Sequence, residues 1–139
     1  MLIVVDANRI FSALLSKGKV FDIFLLNHLI KKFDFVAPEY LFFEVGKHVG
    51  EIVKRSKLSK KEISNVFDFM KQQIIIVPFK EFIGYKDEAK EIAPHKKDIP
   101  YFALALAFNS PIWSDEKAFK KQNRVKIFST EELEKILYE

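Results

Sequence analysis

The chain has 139 residues, of which 49% are hydrophobic, and this length and composition predict a single soluble domain over residues 1–139. Lysine and arginine outnumber aspartate and glutamate by 23 to 19, and the net charge of +4 mildly favours an anionic partner such as nucleic acid. The absence of cysteine excludes disulfides, cysteine-ligated zinc and thiol nucleophiles.

The apolar runs of the chain are too short to cross a membrane, and no basic leader precedes the first of them. Together with the missing cysteines, this predicts a cytoplasmic protein without a membrane anchor. The four glycines form no phosphate-cradling loop or dinucleotide fingerprint, and the three histidines have no zinc-ligand spacing.

Short runs of β-branched or aromatic residues alternate along the chain with longer segments of helical period. The short runs predict strands over residues 2–5, 34–37, 74–77, 111–113 and 125–128. Strands that alternate with helices favour a parallel sheet covered on both faces. We therefore predict an α/β fold, a three-layer α/β/α sandwich around a mainly parallel five-stranded sheet.

Two segments of helical period follow the first two strands. The segment "VFDIFLLNHLIKK" predicts an amphipathic helix with an apolar stripe formed by Phe21, Phe24, Leu25 and Ile30. The segment "EYLFFEVGKHVGEIVKR", residues 39–55, predicts another helix, with a stripe formed by Leu41, Val45, Val49 and Ile52.

Helix starts are also visible further along the chain. Ser59 and Glu62 have capping-box spacing, as do Ser129 and Glu132 ahead of the last helix. The segment "YFALALAF" is apolar on nearly every side, which predicts a helix buried against the sheet.

Acidic residues follow two of the predicted strands. Asp6 directly follows the first strand, and "WSDEKAF" places Ser114, Asp115 and Glu116 after the fourth. Parallel sheets bind ligands at the carboxyl ends of their strands, where the strand order reverses. If the fourth strand lies beside the first, both acidic segments face the same cleft.

Two further acids have suggestive positions, and each has a plainer alternative. Glu44 lies within the helix after the second strand, and Asp98 immediately precedes the buried helix. A lone glutamate on an amphipathic helix is usually solvated, and an aspartate at this position usually caps the helix. Asp6 and Asn8, similarly, are compatible with a simple turn or cap.

Convergence of these acids favours a cation site. Two carboxylates about 5 Å apart repel by roughly 3 kcal/mol at an effective dielectric constant of about 20, so a group of them needs a cation or shared protons. Ligands that are all oxygen suit Mg²⁺ or Mn²⁺, which also bind phosphate oxygens. The pattern suggests metal-assisted hydrolysis of a phosphodiester.

Four segments now stand in order: "IVVDANRI", "APEYLFFEVGKH", "KDIPYFALALAF" and "PIWSDEKAFK". In order and spacing they resemble the motifs of PIN-domain ribonucleases, the group that includes the VapC-like toxins of toxin–antitoxin pairs. The resemblance spans essentially the whole chain. It implies the sheet order third, second, first, fourth, fifth, which places the first and fourth strands side by side.

The resemblance assigns most of the candidate site by position. Asp6, Glu44 and Asp98 match the acidic cluster of the family, and Asn8 matches its polar partner near the first acid. In the fourth motif the family has a hydroxyl residue, then any residue, then an aspartate, with an apolar residue three positions later.

This chain departs from the family in that fourth motif. Ser114 matches the hydroxyl and Phe119 the apolar residue, so Glu116 takes the place of the usual aspartate and Asp115 is an additional acid. Neighbouring residues of an extended chain point to opposite sides, so the two acids are not expected to reach one ion. We favour Glu116 and predict that Asp115 caps the short helix that begins near Lys117.

The resemblance and the donor chemistry imply Mg²⁺ or Mn²⁺ as the cofactor. One or two ions would be held by Asp6, Asp98 and either Glu116 or Asp115, directly or through water, and would activate water for attack on phosphorus. Glu44 would position a water or serve as a further ligand.

Ser114 and Asn8 would orient the carboxylates as supporting groups. The resemblance further implies single-stranded RNA as the substrate and 5′-phosphate products. As protein partners it implies an antitoxin and a second copy of the chain in a homodimer.

Basic and aromatic residues offer a path for RNA. Lys96, Lys97 and Lys117 flank the later acids and are predicted to contact phosphates, although a solvated lysine-rich surface is the alternative. Candidates for stacking on bases are the tyrosines Tyr40, Tyr85 and Tyr101.

Two classes of function therefore stand side by side. The favoured one is a metal-dependent endoribonuclease. The alternative is a catalytically inactive PIN-like module that binds RNA or a protein partner, which the altered fourth motif supports.

Overall fold

In the computed structural model, which describes residues 1–139, five strands form one parallel sheet. The strands are β1 Leu2–Val5, β2 Asp34–Pro38, β3 Ile74–Val77, β4 Ile112–Trp113 and β5 Ile127–Phe128. All five predicted strands are confirmed, because each run of β-branched and aromatic residues supplies the side chains that a covered sheet requires.

The strand order in space is β3-β2-β1-β4-β5, as the family resemblance implied. The central strand β1 pairs with β2 on one side, with Leu2 opposite Asp34, and with β4 on the other, with Val4 opposite Ile112. Successive side chains of a strand point to opposite faces, and Ile3, Val4 and Val5 are all 0% exposed. Both faces of the sheet are therefore covered, which confirms the three-layer α/β/α fold.

Eight α-helices connect and cover the strands: α1 Ala7–Leu15, α2 Lys19–Ile30, α3 Tyr40–Lys47, α4 Val49–Arg55, α5 Lys60–Gln73, α6 Lys86–Ile92, α7 Ile99–Phe108 and α8 Thr130–Leu137. Short 3₁₀ helices lie at Phe79–Glu81, Ile83–Tyr85, Lys96–Asp98 and Lys117–Lys121. None of the helices combines the length and the apolar character that crossing a bilayer would require.

The prediction of a single helix over residues 39–55 is wrong, because the helix is interrupted at His48. The backbone of His48 has φ −111° and ψ 11°, and α3 ends before it while α4 begins after it. Gly46 and Gly50 flank the break, and glycine weakens a helix interior through its backbone freedom. Val49, assigned to the buried stripe, is consequently 52% exposed.

The stripe predicted for α2 is also partly wrong. Leu25 and Ile30 are 43% and 49% exposed, whereas the buried face contains Ile23, Phe24 and Asn27. This helix is apolar on most sides, so its period does not define a single face. A polar contact decides the orientation instead: the side-chain amide of Asn27 accepts from the backbone N–H of Phe33 at 2.8 Å and donates to its carbonyl at 3.0 Å.

The predicted helix starts and the buried helix are confirmed. Both Ser59–Glu62 and Ser129–Glu132 form complete capping boxes at the starts of α5 and α8. Helix α7 packs on β1, β2 and β4, and its residues 101–105 are buried without exception. Its start therefore lies at the carboxyl edge of the sheet, where Asp6 is located.

Candidate active site

The candidate site forms where β1 and β4 lie side by side, the point at which the strand order reverses. Asp6 follows β1 and Ser114 follows β4. The backbone N–H of Asp6 donates to the carbonyl of Trp113 at 3.2 Å, and the Ser114 hydroxyl donates to Asp6 Oδ2 at 2.9 Å. Two segments that are 108 residues apart in sequence thus meet through one side-chain hydrogen bond.

Asp6 is a buried carboxyl, 3% exposed. It stands at the N-cap position of α1, but its side chain makes no cap hydrogen bond. Burial raises the pKa of Asp6 to about 6, while the Ser114 hydrogen bond and the Arg9 charge oppose that rise and the Glu116 carboxylate adds to it. A nearby cation would stabilise the ionised form of this carboxyl group.

Asp98 is the second buried acid and does not take the cap role that its position suggested. It is 3% exposed, stands at the N-cap position of α7 and makes no side-chain cap hydrogen bond. Its Oδ2 atom is buried without any hydrogen-bond partner. Burial, followed by the charges of Glu116 and Asp6, raises the pKa of Asp98 to about 6.

Glu116 completes a group of three mutually repelling carboxylates. Its Oε2 atom is also buried without a partner. The backbone N–H of Glu116 donates to the Ser114 hydroxyl oxygen at 3.1 Å, so Ser114 bridges Glu116 and Asp6. Because Glu116 raises the pKa of both aspartates, the three charges share one electrostatic environment.

Asp115 has different partners. Its carboxylate accepts from the Arg9 guanidinium and from the Thr130 hydroxyl, and it accepts from the Thr130 backbone N–H at 2.6 Å. The prediction that Asp115 caps the helix near Lys117 is wrong, because Glu116 holds that N-cap position and makes no side-chain cap bond. Asp115 instead binds the first residue of α8.

Glu44 approaches the site from α3 and is held by α7. The Tyr101 hydroxyl donates to Glu44 Oε1 at 3.1 Å. Burial and the adjacent Glu44 charge raise the pKa of Tyr101 well above its ordinary value, so the hydroxyl remains a donor at every working pH. Tyr101 is 1% exposed, so its predicted role in stacking on bases is wrong.

Sequence reasoning missed the roles of Arg9 and Thr130. Arg9 is 9% exposed, and its Nη1 atom lies 3.3 Å from the Thr130 hydroxyl oxygen, which also accepts from Trp113 Nε1 at 3.0 Å. The available signal was the one charged residue of the mainly apolar α1, an arginine three positions after Asp6. A charged group on a buried face needs a partner of opposite charge, and Asp115 is that partner.

An open cleft of about 530 Å³ adjoins the acids. Three acids line it, Glu44, Asp115 and Glu116, whereas the buried Asp6 and Asp98 do not. Asn8 and Lys97 also line the cleft, and His48 and Arg55 line the part beside α4. The other two lysines predicted to bind RNA lie elsewhere. Lys96 lines a separate apolar pocket beside Phe79, and Lys117 begins an exposed 3₁₀ turn.

The donor set fits a hard divalent cation on chemical grounds. The unpartnered oxygens of Asp98 and Glu116 are ligands of the type that Mg²⁺ and Mn²⁺ prefer. A cation would offset the burial that raises the pKa values of Asp6 and Asp98 and the smaller repulsion by Glu116. The fit concerns the type of donor atoms. In this arrangement of the side chains, no group of three or more histidine, aspartate or glutamate residues is able to hold a metal ion.

Comparison with known proteins adds two findings. The family model described as PIN domain matches residues 4–137. The fold is similar to a chain in the crystal structure of VapBC2 from Rickettsia felis bound to a DNA fragment from their promoter, with a TM-score of 0.71, 17% identity, and coverage of 93% of this chain and 98% of that chain. No curated protein sequence matches this chain significantly.

The two neighbouring acids of "SDE" should differ in their effects. Asp115→Asn leaves the nearly buried Arg9 charge without its carboxylate, and we expect a loss of roughly 2 kcal/mol in the free energy of unfolding. Glu116→Gln removes a repelling charge, so we expect it to preserve stability and to lose Mn²⁺ affinity. Urea denaturation and calorimetric Mn²⁺ titration measure both effects. Loss of Mn²⁺ binding in Asp115→Asn alone would reverse the assignment.

The raised pKa of Asp98 should make the metal-free protein less stable as pH rises. The ordinary pKa of an aspartate side chain is 3.8, and the fold raises that of Asp98 to about 6. The folded state therefore binds more protons than the unfolded state between these values, and the free energy of unfolding falls across that window. Asp6 has a similarly raised pKa and contributes in the same direction, so Asp98→Asn should reduce this dependence without abolishing it. We expect the variant to be more stable than the parent by about 1 kcal/mol at neutral pH.

Urea denaturation in chelator near pH 4 and pH 7 measures the difference. The exposed Asp68 provides a matched control, because Asp68→Asn removes a carboxylate outside the site. A variant at Asp98 that is less stable than the parent at neutral pH would contradict the electrostatic account.

Proposed function

This chain belongs to the PIN-domain family, and we propose that it is an endoribonuclease that hydrolyses phosphodiester bonds of single-stranded RNA with Mg²⁺ or Mn²⁺. PIN domains are generally nucleases. The observation that carries the proposal is the group formed by Asp6, Asp98 and Glu116, in which two buried carboxylate oxygens have no partner beside an open cleft.

Each acidic side chain has a definite part in this proposal. Asp6, Asp98 and Glu116 would hold the divalent cation, and Glu44 would hold a water or act as a further ligand. When bound, the cation supplies a Lewis acid for the activation of water and for the charge that develops on the phosphate. The Tyr101 hydroxyl keeps the Glu44 carboxylate oriented toward the site.

The remaining polar groups would position the acids and the substrate. Ser114 holds one Asp6 oxygen and the Glu116 backbone at the same time, which sets the relative placement of two acids. Asn8 lines the cleft beside them. Lys97 brings a positive charge to the cleft, where a phosphate of the RNA would bind. The family resemblance supports 5′-phosphate products.

We further infer a role as the toxin of a toxin–antitoxin pair in the cytoplasm, with an antitoxin protein as partner and a homodimer as the assembly. The support is the resemblance of the motifs to VapC-like toxins and the similarity of the fold to a chain of the VapBC2 structure.

The alternative is a catalytically inactive module that binds RNA or a protein. Its support was the altered fourth motif, and the placement of Glu116 with Asp6 and Asp98 weakens that support, since a third carboxylate is present where the motif departs from the family.

Cleavage is the direct test. We expect the purified protein to cleave an unstructured RNA with Mg²⁺ or Mn²⁺ and not with chelator. Asp98→Asn and Glu116→Gln should each reduce the rate at least about 100-fold, because both remove a proposed ligand and not merely a supporting group. The exposed acid variant Asp68→Asn is the control. Cleavage that persists in chelator, or full activity of both variants, would refute the nuclease proposal.

Binding can be tested apart from cleavage with the Asp6→Asn variant in chelator. RNA affinity should fall with salt, and Lys97→Ala should reduce the slope of log affinity against log salt by about 0.7, the value for one phosphate contact to a single strand. Lys96→Ala and Lys117→Ala test the two lysines that do not line the cleft. Lys135→Ala, near the end of α8, is the control, and an unchanged slope in Lys97→Ala would place the RNA path elsewhere.

A further inference from the structure

An aromatic pair formed by the half-buried Tyr40 and the exposed Phe43 lies on α3, the helix that carries Glu44. The ring centroids of Tyr40 and Phe43 are 5.8 Å apart with an interplanar angle of 45°. The Lys47 ammonium lies 4.6 Å from the centroid of the Phe43 ring and 6.0 Å from that of the Tyr40 ring. Phe43 is 60% exposed. Of the fifteen phenylalanines Phe43 is the most exposed, so core packing does not account for this ring.

The aromatic pair lies on the same helix as Glu44, a residue of the proposed active site. Tyr40 and Glu44 are four positions apart on α3, and Lys47 follows Glu44 by three, so all three side chains share one side of the helix. Glu44 lines the cleft and accepts the hydrogen bond from Tyr101. The aromatic rings do not line the cleft themselves, and they lie within about one helical turn of Glu44 on the same helix.

On the basis of the proposed function, we propose that Tyr40, Phe43 and Lys47 form a subsite that stacks one unpaired nucleobase of the RNA and binds its phosphate. A ring that is exposed on one side offers a surface to any base, and a lysine beside it offers charge to the adjoining phosphate. Bases in a duplex are already stacked on their neighbours and do not present a free face. The subsite would therefore select single-stranded RNA and hold it next to Glu44.

Binding of a single-stranded oligonucleotide to the full-length Asp6→Asn variant in chelator is measured by fluorescence anisotropy. In this background we expect Phe43→Ala to bind about fivefold more weakly or worse, the lower end of the effect of losing one stacked base. Phe43→Leu, which keeps apolar volume without a ring, should also bind weakly, and Phe43→Trp should bind at least as tightly as the parent.

Two controls separate stacking from loss of structure or of exposed apolar surface. Phe43 is exposed, so urea denaturation should give nearly equal stability for the parent and Phe43→Ala. Tyr138 is 68% exposed near the end of α8, at the opposite edge of the sheet, and Tyr138→Ala should leave RNA affinity unchanged.

An abasic scan of the oligonucleotide identifies the base. Removing one base at a time should weaken binding of the parent at one position, and removal at that position should have no effect on Phe43→Ala. The proposal is overturned if Phe43→Ala binds RNA as tightly as the parent, or if every abasic position acts equally on both proteins.

Failure of this subsite and failure of the proposed nuclease activity are distinguishable. Coupling between Phe43 and one base without any metal-dependent cleavage would refute the nuclease and uphold the subsite. Cleavage by the unmodified protein without such coupling would uphold the nuclease and refute the subsite.

Discussion

Repulsion among three carboxylates at the carboxyl edge of the sheet is the constraint around which the rest of the site is arranged. Each pair of such charges repels by roughly 3 kcal/mol at about 5 Å and an effective dielectric constant of about 20. Burial is the main cause of the raised pKa values of Asp6 and Asp98, and the Glu116 carboxylate adds to both. Burying oxygens of Asp98 and Glu116 without hydrogen-bond partners destabilises the fold. The proposed cation would supply the missing partner.

The Arg9 guanidinium distinguishes the two neighbouring acids Asp115 and Glu116. Arg9 binds Asp115, and Asp115 also accepts from the backbone of Thr130 at the start of α8. These contacts join α1, the segment after β4 and α8, and they give the Asp115 carboxylate its own partners, although Asp115 lines the same cleft as Glu116. Glu116, the next residue, is then directed toward Asp6 and Asp98, with Ser114 holding its backbone in place. One ion pair thus separates two neighbouring acids into different roles.

Helix α3 carries residues of both proposed sites, Glu44 of the active site and the aromatic pair of the nucleobase subsite. It begins directly after β2, so its first turns lie at the carboxyl edge of the sheet, and Glu44 reaches the cleft from there. The break at His48 ends α3 soon after Lys47, which leaves the Tyr40 and Phe43 rings on a short helix with Lys47 over them. In the proposed function, α3 therefore places the Glu44 carboxylate in the cleft and presents an aromatic surface to single-stranded RNA.

Local sequence patterns determined the strands of this protein, several of its helix starts and the kind of chemistry that we propose for it. The five strands and both capping boxes follow from residues close together in the chain, because strand propensity and helix caps are local properties. The acids at strand ends and helix starts followed from the same patterns once the parallel sheet was inferred. Only the tertiary structure decided the burial of Tyr101 against Glu44 and the pairing of Asp115 with Arg9. Each depends on a partner supplied by a distant segment, and periodicity within one segment carries no information about that partner.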